Sequence, residues 1–240
     1  MPILVILRKV VYSKPVDKTT SETKMSNTGK IKKAADGKAG NNIMLDYKIM
    51  YVSRTGNTQR LAVCIYQSLQ QLGNGDIEEI NCNTEPGKSH LLYVGFCVEK
   101  GDCPIEVQEL LKKVHNRQIA LFGTCGFGQS QEYYDRIVEN VKQWIPKDNS
   151  CLGAFLCMGK MPMQVRKRYE VMEENPEQRE KAQMLIRNFD KALLHPDDAD
   201  IQNAVAFARE AWKKAESCTD MRERAENVVT VKKERGENNE

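Results

Sequence analysis

Short apolar runs alternate with longer stretches of helical period between residues 47 and 157. Lys48–Val52, Leu91–Val94, Ile119–Phe122 and Cys151–Cys157 are the runs, with Ile77–Ile80 a weaker one. Between them, Leu61, Ala62, Ile65, Leu69 and Leu72 recur at helical spacing from Asn57 until Gly73. Behind Pro104, which suits a first helical turn, Ile105, Val107, Leu110, Leu111 and Val114 form a second stripe. Gln131–Trp144 is a third amphipathic segment. Runs this short and this apolar are strands covered on both faces. Their alternation with helices predicts an α/β domain in three layers, a doubly wound, five-stranded parallel sheet with right-handed crossovers. At this size, order 2-1-3-4-5 is the natural expectation.

After the fifth strand the pattern predicts helices over Met163–Glu174, Pro176–Leu194 and Pro196–Glu216. The sheet needs one of them. The others are extra C-terminal helices, expected to pack beside the sheet or beyond its edge. Residues 47–218 are therefore read as the domain, with 158–218 its helical extension. Residues 1–46 differ: nine basic and four acidic residues, Ser, Thr, Gly and Asn, and no period. Such a segment buries too little surface to offset its ordering entropy, so a disordered basic extension is expected. Ile3–Leu7 is too short for a secretory core and its charge lies on the wrong side. Four acids argue against a transit peptide. Residues 219–240 mix Lys/Arg with Glu and read as a flexible tail.

The 36 Lys and Arg against 33 Asp and Glu of the 240 residues leave +3, and 27 against 29 beyond residue 46. That gives nucleic acid no electrostatic footing. No apolar run approaches the roughly 18 residues of a membrane span. The eight Cys are scattered and read as reduced thiols of a cytoplasmic protein. His90, His115 and His195 lack zinc-site spacing, so no metal is expected, and no nucleophile elbow supports a hydrolase. Met158, Met161, Met163 and Met172 cluster after the last strand, spaced as core residues or as a docking surface.

The first strand breaks into Ser53-Arg54-Thr55-Gly56-Asn57-Thr58. Three hydroxyls, a Gly that permits a tight turn and the free N–H groups of a helix start suit a phosphate rather than a mere cap. Neither a dinucleotide fingerprint nor a P-loop signature occurs at this turn. The motif resembles the (S/T)-x-T-G-x-T phosphate loop of the flavodoxin-like family, and the likeness covers residues 47–157. The uninterrupted fifth strand resembles the short-chain type. Gly159–Glu170 resembles a bacterial subgroup with an extended helical C-terminus, some members of which accompany bilirubin-reducing enzymes.

The resemblance implies that Ser53, Arg54, Thr55, Gly56, Asn57 and Thr58 hold the phosphate of FMN, with Arg54 an exposed extra charge. It implies that the loop Gly95–Cys103 lies against one side of the isoalloxazine. There the Gly101–Asp102 peptide would turn over on reduction and accept a hydrogen bond from N5–H, or form a plain turn. The loop Gly123–Ser130 would approach the other side, with Thr124, Cys125, Gly126, Phe127 and Gly128 around the ring. Phe127 and Phe96 are the stacking candidates, unless both are core residues. Acids such as Glu99 and Asp102 would lower the potential, or form a solvated rim. No catalytic side chain is called for, because the flavin performs the redox step. The expected role is that of an electron carrier, monomeric or weakly dimeric, between a reductase donor and an acceptor protein. The competing readings are an FMN-dependent NAD(P)H or quinone oxidoreductase, and an accessory partner of a reductase such as a bilirubin reductase.

Overall fold

The computed structural model describes the backbone of residues 44–236 except Gln129, and the side chains as far as residue 218. Of residues 1–46, read as a disordered extension, 1–43 lie outside the described residues, while Leu45 and Asp46 belong to the first strand. The chain runs β1 (Leu45–Tyr51), α1 (Asn57–Leu69), β2 (Gly75–Glu79), β3 (Ser89–Cys97), α2 (Ile105–Lys112), β4 (Gln118–Cys125), α3 (Gln131–Lys142), β5 (Ser150–Met158), α4 (Met163–Glu173), α5 (Arg179–Ala192) and α6 (Asp198–Gly236). All strand pairs are parallel, in the order β2-β1-β3-β4-β5.

The period of two in each strand sorts its side chains into two cores. Tyr47, Ile49, Leu91, Tyr93, Ala120 and Phe122 face α1 and α6. Met50, Leu92, Val94, Phe96, Ile119 and Leu121 face α2 and α3. Unbroken apolar runs result because both faces are covered. Edge strand β5 differs. Its first two residues are exposed and the next five only half-buried, so Cys151 is not a core residue.

The element ends depart from the periodicity in instructive ways. β1 begins at Leu45, because Leu45 already pairs with Ser89 in the parallel ladder and the N–H groups of Leu45 and Asp46 donate to the Lys88 and Asn74 carbonyls. Ile105 is 59% exposed despite its place in the apolar stripe. As the first residue of α2 it points outside the buried set of Val107, Leu110 and Leu111. Of the three C-terminal helices, the one that covers the sheet is the last, α6. Ala204, Ala208, Ala211 and Ala215 of α6 pack small side chains against the core beside Trp212, and Tyr93 donates to the Ala208 carbonyl at 2.7 Å. The α6 backbone stays helical through Gly236, across the position where the tail was placed. Helices α4 and α5 are thus an insertion between β5 and α6. They pack on each other, and α4 buries no residue completely.

Candidate functional site

The order β2-β1-β3 makes β1 and β3 the point where successive crossovers leave on opposite faces, and ligands bind there beyond the carboxyl ends of the strands. A cleft of about 200 Å³ opens at this place. Its lining comes from the loops after β1 (Arg54, Thr55, Asn57), β3 (Cys97, Val98, Glu99) and β4 (Thr124, Cys125, Gly126), and from Gly159–Pro162 after β5. Among these residues none is aromatic.

The turn after β1 has the features of an anion site. Gly56 is the N-cap of α1 at φ +80°, a left-handed conformation that a side chain would resist. It supplies no side-chain cap and no acid follows in the first turn, so the N–H groups there remain available to a ligand. Ser53 Oγ is buried without a hydrogen-bond partner among the described residues. A buried unpaired hydroxyl costs free energy that a ligand would recover. Ser53 and Gly56 are not themselves in the cleft lining, but their neighbours Arg54, Thr55 and Asn57 are, so this orphan before an uncapped helix suits a phosphate group.

The other side chains of the motif are engaged within the protein. Thr58 Oγ is buried 2.9 Å from Thr124 Oγ, so it ties α1 to β4 instead of lying open to a ligand. Asn57 Nδ2 donates to Thr55 Oγ (2.8 Å) and to the Lys160 carbonyl (2.9 Å), linking the turn to the segment after β5. Arg54 is not a spare charge. Its guanidinium donates to Glu99 (2.9 Å) and to both oxygens of Glu106 (2.8 and 3.0 Å). The hydrogen bond from Arg54 holds the Glu106 carboxyl below the usual carboxylate range, and the two carboxylates raise the guanidinium.

The loop after β3 makes a tight turn, with Lys100 and Gly101 at φ 53° and 84°. Glu99 and Asp102 exchange both backbone hydrogen bonds across it, at 2.8 and 3.0 Å. The Gly101 carbonyl accepts from Asn140 Nδ2 of α3 (2.9 Å), and the Asp102 carboxylate accepts from Trp144 Nε1 and the Cys103 N–H. Gly101 and Asp102 are therefore bonded toward α3 and are not in the cleft lining. Cys97, Val98 and Glu99 take that place.

Phe96 is fully buried in the core with Met50 and Val94, because strand alternation turns it to the α2–α3 face. Its stacking role is corrected on that ground. Phe127 is half-buried and outside the lining, and its carbonyl accepts from the Cys125 thiol. Burial pushes that thiol up to about 12, so it stays protonated. Gly128 also lies outside the lining, and a Cβ there would collide with Met158 and Tyr134.

Sequence reasoning missed Glu106, Asn188, Lys160 and Met161. Asn188 of α5 is 5% exposed and donates to the Gly126 carbonyl at 2.8 Å. Met161 packs against Gly126 so closely that a Cβ there would collide with its thioether. The Met cluster was the available signal. It divides: Met158 is buried, Met161 lines the cleft and Met163 is 55% exposed. His195, Asp197 and Asp200 also gather near the start of α6, where Asp197 and Asp200 exchange side-chain bonds with each other's N–H at 2.9 Å, a capping arrangement.

Fold and site together define a doubly wound α/β protein with a turn suited to an anion at its switch point. The Flavodoxin domain family matches residues 48–209, and the chain belongs to that family. Two relatives bear the name flavodoxin-like domain-containing protein BilS. That of Clostridioides difficile is 33% identical, over 70% of this chain and 96% of its own length. That of Clostridium symbiosum is 33% identical, over 65% and 90%. A flavodoxin structure from Streptococcus pneumoniae aligns at 14% identity and a TM-score of 0.45, over 70% of this chain and 98% of its own.

Proposed function

We propose that the protein binds FMN non-covalently in the cleft and carries electrons between a reductase donor and an acceptor protein in the cytoplasm. Bound FMN supplies the redox chemistry, taking up and giving back electrons. The observation that carries the reading is the partnerless, buried Ser53 hydroxyl at the head of α1, whose N-cap is a left-handed Gly56 without a side-chain cap. Ser53 and the first-turn N–H groups of α1 hold the phosphate. Asn57 and Thr55 brace the turn. Cys97, Val98, Glu99 and Cys125 wall the adjoining cleft. A proton donor is not required of any of them. The Cys125 thiol, raised by burial, stays neutral and contributes as a small apolar group. The family membership and the flavodoxin-like relatives support the same reading.

The test is the visible spectrum of the purified chain titrated with FMN, then reduced stepwise. Saturable one-to-one binding with reduction in two resolved one-electron stages is expected. Absence of binding overturns the proposal. Direct bleaching by NADPH alone, without an added reductase, would replace the carrier with an oxidoreductase.

A further inference from the structure

The cleft lacks an aromatic wall, yet its opening is not bare. The backbone between β5 and α4 crosses it as a strap, Gly159 to Pro162, and all four residues line it. Hydrogen bonds fix that strap and the loop beside it, one of them from the Gly159 N–H to the Cys125 carbonyl at 2.9 Å. The Lys160 carbonyl accepts from Asn57, at the phosphate turn itself. The Lys160 N–H donates to the His195 carbonyl at 3.1 Å, anchoring the strap to the start of α6. Asn188 of α5 holds the Gly126 carbonyl, in the loop on which Met161 rests. A buried Asn committed to one carbonyl of a binding loop fixes that loop's position more than it adds to stability.

We propose that this strap forms the wall against the flavin's ring system, with Met161 its contact side chain and Asn188 the residue that positions it. The inference rests on the FMN reading above and adds what that reading lacks, a partner for the ring. A thioether is polarizable, adapts its shape and packs favourably on aromatic faces. It packs over Gly126 in a cleft that, with Phe96 turned into the core, has no aromatic side chain in its lining. The α4–α5 insertion, which the sheet does not need, thereby acquires a reason: it supports a wall of the cofactor site.

Riboflavin and FMN are the two probes, since riboflavin has the ring and lacks the phosphate. In the full-length chain, Met161→Ala should weaken both by the same factor, about tenfold, as expected for removing most of one apolar side-chain contact. Met161→Leu, similar in volume, should restore most of the loss. Met161→Gln keeps the length without the thioether and should weaken both flavins even if the Ala variant folds poorly. Asn188→Ala should weaken both while apo melting changes little. Met161→Tyr places a phenol at the wall, and bound riboflavin should lose fluorescence relative to wild type. Wild type that binds neither flavin defeats the FMN reading and this proposal with it. Wild type that binds FMN while Met161→Ala and Met161→Gln bind riboflavin as tightly as wild type, or more tightly, overturns this proposal alone.

Discussion

Ser53→Ala should move two observables in opposite directions. In the apo protein Ser53 Oγ is buried and bonds to nothing among the described residues. Removing an unsatisfied buried hydroxyl relieves a desolvation cost, and about 1 kcal/mol of added stability is expected. For a folded domain of this size that raises the apo melting temperature by roughly 2–4 °C. Once phosphate is bound, the same hydroxyl donates to an anion. A hydrogen bond to a charged group contributes about 2 kcal/mol, so Kd for FMN should rise roughly thirtyfold. Riboflavin, without the phosphate, should bind the variant as it binds wild type. Thermal unfolding of the apo protein and fluorescence titration with both flavins give the three numbers. An apo variant less stable than wild type, or equal losses for FMN and riboflavin, would refute the assignment of this hydroxyl to the phosphate.

Gly56 sits at φ +80° with open space where a Cβ would project, so substitution there is opposed by backbone conformation and not by collision. Apo stability should fall in the order Asn, Ala, Val, with Ala costing about 1–2 kcal/mol; equal melting temperatures for the three variants would contradict this. Glu106 is held below the ordinary carboxylate range by Arg54, so the ion pair stabilises the fold above the unfolded pKa and the benefit is lost as pH falls through the folded one. Glu106→Gln should cost about 0.5–1 kcal/mol near pH 7, because Arg54 is half exposed. The gap to wild type should close in acid, and denaturant unfolding at pH 7 and pH 3 measures both. The Cys103, Cys125 and Cys157 thiols are raised by burial, whereas Cys82 and Cys151 are exposed. Alkylation of the native protein at pH 8, read by mass spectrometry, should mark the exposed pair first; Cys125 reacting as fast as Cys82 would contradict the buried placement.

Unbroken apolar runs alternating with helical stretches were enough to deduce the fold class, because burial on both faces leaves a mark in every residue of a central strand. Edge strand β5 bears that mark least: Cys151 reads as core by composition and is exposed. The covering role of α6 was harder to see. Its buried face is mostly alanine, at positions 204, 208, 211 and 215, and alanine signals burial weakly. At the site, the turn after β1 was legible as an anion-site candidate because its residues are consecutive. Partners that come from far along the chain were not. Nothing in the spacing joins Arg54 to Glu106, or Asn188 to Gly126, since these meet only after the sheet and the α4–α5 insertion have formed. Phe96 failed as a stacking residue for another reason. Residue type suggested Phe96, but register decides which face a strand residue serves, and a single step turns a side chain from one layer to the other.

That long-range wiring also changes how the charge of the site is understood. A phosphate at the head of α1 meets a partial positive charge of about half a unit from the helix dipole. Arg54, the cation of the motif, is answered by Glu99 and Glu106, so together these three carry one net negative charge. Left alone, that triad would oppose an anion nearby. Lys160 lines the same cleft, carried there by the strap whose carbonyl Asn57 holds. Its ammonium brings the four groups to neutrality. The insertion after β5 therefore supplies a charge as well as a wall, and the Asn57 bond couples that charge to the turn that would hold the phosphate. Arg54 in turn joins the phosphate turn to the loop after β3 and to the first turn of α2. Both loops flanking the cleft are thus braced on the six residues from Ser53 to Thr58, which explains why a short motif organises a site drawn from four parts of the chain.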